Sequence, residues 1–446
     1  MSEMTFDPQR SAELHNQILH HAWTGAGHDI ASLPSTTWWE EYSPVDLEPR
    51  LTPKLAQFLR SARSTPSRGW TCQDLGFNFF YFLSGLQDSD LLLRFSLLDR
   101  EGDRFVYLYP ATGCYTCDEE VGIVFDQNTE LATYMPHWQF IRDSIGNPGC
   151  WMPLQQILGA YLEMINEGKV ETFTEDKYPA AQYSPWEFQY FPWEYYQYTQ
   201  RDIEKSITAF NRLLNAIEHR HRPSAQSAKI AINYPQSVLD QAFIPNKSFV
   251  GSFLSALPSR EIQFGYIAPG IRIQSFDELK TQPFAALSAM TQNSSDGEDE
   301  DDGEDEQIPF LLFRADGSNP SPWCRPYDNI DIPAGLYIEE IDKNRAADFG
   351  NMSRLLLPFD IGSKGYARDS TGRQIVNVHD LYQACDSNGF LEFHGVQLHK
   401  VLLNWAERVE MGDWEVDENG VSGGIQKFKD ADTPDHWEKY QIPLSW

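Results

Sequence analysis

The chain carries no signature of a known chemistry. There is no G-x-S-x-G elbow and no Walker sequence, so acyl transfer and P-loop chemistry find no support. Gly25-Ala26-Gly27 lacks the third glycine of a dinucleotide loop and has no strand-like run before it. Of the eleven histidines, none is paired at i, i+4 around a glutamate, the spacing of a helical zinc site. Basic residues are few: 35 Lys and Arg stand against 65 Asp and Glu, a net charge of −30. One run, residues 296–306, holds nine of those acids, which leaves 56 acids against 35 bases elsewhere. The acidity is therefore general, and it turns away phosphate backbones and anionic lipid heads while favouring basic partners. No nucleic acid and no membrane is expected as partner. No apolar run reaches the 18 residues of a membrane span, and MSEMTFDPQR has neither the basic nor the apolar region of a secretory leader. Six cysteines in 446 residues are too few for a disulfide scaffold. A reducing, cytoplasmic setting is the expectation.

What is present is a globular composition, 41% hydrophobic and 13% aromatic, on a chain long enough for two domains. Asp7-Pro8 predicts a helix over 8–21, since Pro at the first position lacks only a donor that would be orphaned there. Thr52-Pro53 predicts another, ending near Arg63. Ser275 with Glu278, and Ser184 with Glu187, have capping-box spacing. Apolar residues recur at helical intervals over 153–168 and 201–220. Segments 91–98 and 104–109 predict a hairpin around Gly102, and 120–125 with 131–134 predict a second. Short apolar runs at 308–313, 335–340 and 355–360 predict strands. The fold class expected is α+β, antiparallel strands with packed helices. The expected division is an α+β unit over 1–199, a helical middle over 200–292, an acidic loop over 293–307 and a second α+β unit over 308–446. LLLRF at 91–95 echoes LLLPF at 355–359, and the helices over 153–168 and 398–412 match in apolar spacing, the pattern a duplication leaves.

The most unusual stretch is 178–198, where ten of 21 residues are aromatic, none is basic, and Pro-Trp-Glu occurs twice. Rings beside carboxylates suit a neutral polyol or a proline-rich or basic peptide, whereas a nucleic-acid platform needs interleaved cations. Trp193, Tyr190, Tyr195 and Glu194 are the candidate ligand-binding residues, with Trp186 assigned to the core. The bland alternative is that all these rings simply pack. Cys114 and Cys117 form a CxxC, but a zinc site needs two further ligands, and three acids follow where a redox pair needs positive surroundings. No metal and no cofactor is expected. The acidic run predicts a mobile segment, with Ser295 in an acidophilic phosphorylation context.

The segments LLLPFDIGSKGYARDSTGRQ (355–374) and WMPLQQILGAYLEMINEGKV (151–170) resemble large uncharacterised proteins of filamentous fungi. The order of hairpin strands followed by an amphipathic helix is also similar to the SUKH superfamily, over at most 91–170 and 355–413. That resemblance implies a protein that acts by binding proteins, and it carries over no catalytic residue. The expected function is a non-enzymatic protein-interaction or regulatory module with a protein partner. The alternative is an enzyme or small-ligand binder that uses 178–198 as a pocket wall.

Overall fold

A computed structural model gives the fold, and it describes residues 5–65, 77–93, 102–111, 120–137, 141–174, 190–222, 229–285, 309–322, 330–339, 351–382, 389–391 and 395–446. The fold is α+β. Two compact units emerge, one of residues 1–196 with 386–393 and 445–446, the other of 197–385 with 394–444. The sequence had set 200–292 apart as a helical middle. Instead it shares a core and a sheet with the C-terminal segments, because its short strands pair with theirs.

In the first unit, α1 (Pro8–Gly25) begins where expected, with the Asp7 carboxylate accepting from the Arg10 amide at 2.9 Å. It runs a turn past residue 21 and buries Leu14, His15, Ile18, Leu19 and Ala22, one stripe at helical spacing. α2 (Trp38–Tyr42) starts in a full capping box between Thr37 and Glu40. α3 (Pro53–Ser61) is capped by Thr52. Strands β1 (Phe105–Pro110), β2 (Glu120–Asp126) and β3 (Leu131–His137) form an antiparallel sheet in that order. The second predicted hairpin is β2–β3. The first is only partly seen: Leu91–Leu93 is a turn, though the Tyr107 amide donates to the Leu92 carbonyl at 2.9 Å, and 94–101 lie outside the described residues. α4 (Ile141–Gly146) leads to α5 (Leu154–Asn166), the predicted amphipathic helix. β4 (Val170–Thr172) pairs with β5 (Trp193–Tyr195), the end of the aromatic stretch.

The second unit opens with α6 (Gln200–Arg220), capped by Thr199 and Asp202. β6 (Ile230–Ile232), α7 (Gln236–Gln241), α8 (Phe249–Ala256) and β7 (Arg260–Ile262) follow. The main sheet combines β8 (Tyr266–Ala268) and β9 (Ile271–Ile273) with β10 (Pro309–Pro320), β11 (Asp331–Glu339), β12 (Met352–Ile361) and β13 (Val378–Asp380). β14 (Val396–Gln397) also pairs with β12 and runs into α10 (Leu398–Met411), after α9 (Phe276–Leu279) with its predicted Ser275–Glu278 box. β10, β11 and β12 are the three predicted strands, each longer than the sequence indicated. Alternation sends Leu336, Ile338, Leu355 and Leu357 into the core with α6 and α10, while Tyr337 and Leu356 join Phe284, Leu311 and Ile332 in a separate cluster. Gly335 sits at φ +147° in a bulged stretch of the β10–β11 pair, where a Cβ would come within 2.2 Å of the Phe313 carbonyl oxygen. The echo between the halves divides here: 355–359 is strand interior, whereas 91–93 is turn.

Candidate functional site

The predicted aromatic site is brought together only in part. Tyr190 and Tyr195 stack on Tyr81, with ring centroids at 4.5 and 5.5 Å. The Glu194 carboxylate accepts from the Tyr196 hydroxyl at 3.1 Å, and in the β4–β5 ladder Glu194 lies opposite Glu171. Burial and then the Glu194 charge raise the Tyr196 phenol above its usual range. Lys169, though buried, places its Nζ 5.8 Å from the Tyr195 ring centre. Trp193 does not join this half-exposed group. It is 2% exposed, packs on Phe80 at 5.5 Å and donates its indole N–H to the Asn78 carbonyl at 3.1 Å. The expectation that it faces a ligand is corrected by that placement: Trp193 is a core ring of the first unit. Trp186 and the Ser184–Glu187 box lie outside the described residues, as do Cys114, Cys117, Ser295 and the acidic run.

A second constellation, with no counterpart in the sequence pattern, lies on the sheet of the second unit. Arg354 of β12 places Nε 2.7 Å from Glu339 Oε1 on β11 and 3.4 Å from Asp380 Oδ2 on β13. Both carboxylates are buried, and Asp380 Oδ1 has no hydrogen-bond partner among the described residues. Burial pushes the Asp380 carboxyl up to about 7; Arg354 works against that rise and Glu339 adds to it. The pairing is invisible in one dimension because the three residues come from three strands. A carboxyl poised near neutrality is suited to proton exchange. Its enclosure fits a proton-linked structural role better than contact with a substrate.

A third feature is open to solvent. In the first unit, a concavity of about 420 Å³ is framed by the end of α2, the turn after it and residues 89–93. α2 is held there by Trp38, whose indole donates to the Gln87 carbonyl at 2.8 Å, and by Tyr42, whose hydroxyl donates to Asp88 Oδ1 at 2.5 Å. Burial and then Asp88 drive the Tyr42 phenol far above its usual range, so it stays a donor. The chain leaves α2 through Ser43 at φ +42°, and the Val45 amide turns back onto the Ser43 carbonyl at 2.8 Å. That turn thrusts Val45 outward, 79% exposed, between Pro44 and Asp46. Leu47 and Leu93 supply further apolar lining, and Asp46 and Asp90 supply negative charge. Arg50, also on the rim, is taken up by Asp103 in a two-point ion pair that holds the Asp103 carboxyl low. The local balance is thus acidic around an exposed aliphatic. Serial Pro and acidic residues in SPVDLEP are the sequence signal at this turn.

Among the described residues, no group of three or more His, Cys, Asp or Glu is arranged to hold a metal ion, and no helix is long and apolar enough to cross a membrane. No family model, curated protein or solved structure matches the chain.

Proposed function

We propose that the chain is a non-enzymatic protein-interaction module, and that the concavity beside α2 receives an aliphatic side chain flanked by basic residues on a partner. The observation that carries this reading is Val45, an exposed aliphatic fixed by a tight turn and edged by Asp46 and Asp90. An apolar centre inside a charged rim is the arrangement of binding hot spots, and burying a side chain of this size contributes about 1.5–3 kcal/mol. The overall charge of −30 works in the same direction, by steering basic partners at long range. The likeness to the protein-binding SUKH superfamily also supports it. A second reading, an enzyme or small-ligand binder, draws on Asp380 and its titration near neutrality, and loses Trp193 as a pocket wall.

The test uses a fluorescein-labelled peptide with one leucine flanked by lysines, and its counterpart with glutamates, titrated by anisotropy. The lysine peptide is expected to bind, more weakly as salt rises and more weakly to the Asp46→Asn, Asp90→Asn double variant. Equal binding of the glutamate peptide sinks the reading.

A further inference from the structure

On α6, the residues facing away from the core form a stripe of a different character from the rest of this acidic chain. Thr208, Asn211, Asn215 and His219 recur at intervals of three and four, and they line an open groove of about 760 Å³ with Arg212, Arg220 and Glu410. From Thr208 to His219 the stripe runs about 16 Å along the helix, the length of about five residues of extended chain.

The two asparagines give the groove its chemistry. Asn215 Oδ1 accepts from Arg260 Nη2 at 2.8 Å, which fixes the amide so that its Nδ2 is left to donate elsewhere. Asn211 precedes it by one turn, is half-buried, and has no side-chain hydrogen bond among the described residues. Amides four residues apart on a helix are separated by about 6.0 Å along the axis. A strand repeats every two residues at about 6.6–6.8 Å. Each amide is therefore in register with one carbonyl or N–H on the same edge of an extended peptide, and a small slant of the peptide absorbs the difference.

The charges settle which peptide. Arg212 is engaged by Glu410 through two bonds, at 2.8 and 2.6 Å. Arg220 donates to the Val409 carbonyl near the end of α10, and it has no carboxylate partner among the described residues. With His219 exposed beside it, this end of the groove offers a guanidinium and an imidazole to an anionic side chain.

We propose that this face of α6 binds the main chain of an extended acidic segment of a partner protein, with Asn211 and Asn215 pairing to its backbone and Arg220 taking a carboxylate. The inference shares the view of the chain as a protein-binding module but lies on the other unit and recruits a partner of opposite charge.

The probes are two fluorescein-labelled ten-residue peptides, one alternating Glu and Thr, one alternating Lys and Thr, titrated by anisotropy into the full chain. The Glu peptide is expected to bind at least tenfold more tightly than the Lys peptide. Asn211→Ala should weaken it at least fivefold and leave the far-UV spectrum and melting temperature nearly unchanged, since Asn211 makes no side-chain hydrogen bond among the described residues. Arg220→Gln should weaken binding and flatten its salt dependence. Replacing the Asn211-facing amide of the peptide by an ester, scanned along the chain, should reproduce the loss. No anisotropy change up to 1 mM peptide overturns the proposal, as does equal binding of the Lys peptide or an Asn211→Ala variant that binds like the parent. The Asp46→Asn, Asp90→Asn variant should bind the Glu peptide no more weakly than the parent, so failure at the α2 concavity is distinguishable from failure here.

Discussion

The indole N–H of Trp193 lies 3.1 Å from the Asn78 carbonyl oxygen, inside a nest of rings that includes Phe80 and, stacked on Phe80 at 4.4 Å, Tyr161. That bond makes Trp193 a strut. Trp193→Ala should cost about 3–5 kcal/mol in chemical denaturation, because it opens a large cavity and removes a donor from the buried Asn78 carbonyl. Trp193→Phe, which keeps most of the volume, should cost less than half as much. A silent Trp193→Ala contradicts the assignment.

His15 is a second buried polar strut. Its Nδ1 lies 2.8 Å from the Tyr109 hydroxyl and its Nε2 2.9 Å from the Arg63 carbonyl, while its ring stacks on Phe79 at 4.6 Å. Burial lowers its pKa from 6.5 to about 4, with the bond to Arg63 opposing. In acid the unfolded chain takes up a proton near 6.5 that the native state refuses until about 4, so stability falls as pH drops through that window. The cost for this group is on the order of 3 kcal/mol. His15→Gln should be less stable at pH 7 and show a shallower loss between pH 6.5 and 4; melts across pH check it.

Asp380 predicts the opposite slope. Its folded-state pKa, about 7, lies above the unfolded value of 3.8, so the native state holds a proton that the unfolded chain has lost, and stability declines as pH rises from about 4 to about 7. Asp380→Asn keeps the shape and removes the titration. The variant should melt higher than the parent at pH 8, where the parent carries its buried charge, and the gap should narrow as pH falls toward about 4. A gap that widens toward pH 5 contradicts the account.

These sites show what a sequence discloses and what it does not. Helix starts were legible because a cap is a local event: Asp7, Thr52 and Ser275 each accept from an amide three residues on, as their spacing required. The strands over 309–361 were legible from apolar runs between turns. Arg354 meeting Glu339 and Asp380 was not, since strand order and register decide it. Nor was the fate of the rings at 190–195: Trp193 and Tyr195 have the same local composition, yet Trp193 is buried against Phe80 while Tyr195 stays half-exposed. The helical middle was misplaced for a related reason. Strands of three residues, such as β8 and β9, are too short to leave a periodic signal, yet they join 266–273 to the sheet built from 309–361.

We propose that the concavity beside Val45 binds a protein. The most direct measurement is capture from a lysate of the source organism, with the parent chain and Val45→Asp as baits side by side and the recovered proteins quantified by mass spectrometry. Val45 is 79% exposed, so the substitution should leave the melting temperature of the bait within about 2 °C. The account predicts a basic protein retained by the parent, released as salt rises, and depleted at least tenfold on Val45→Asp. Recovery of the same proteins in the same amounts on both baits would contradict it.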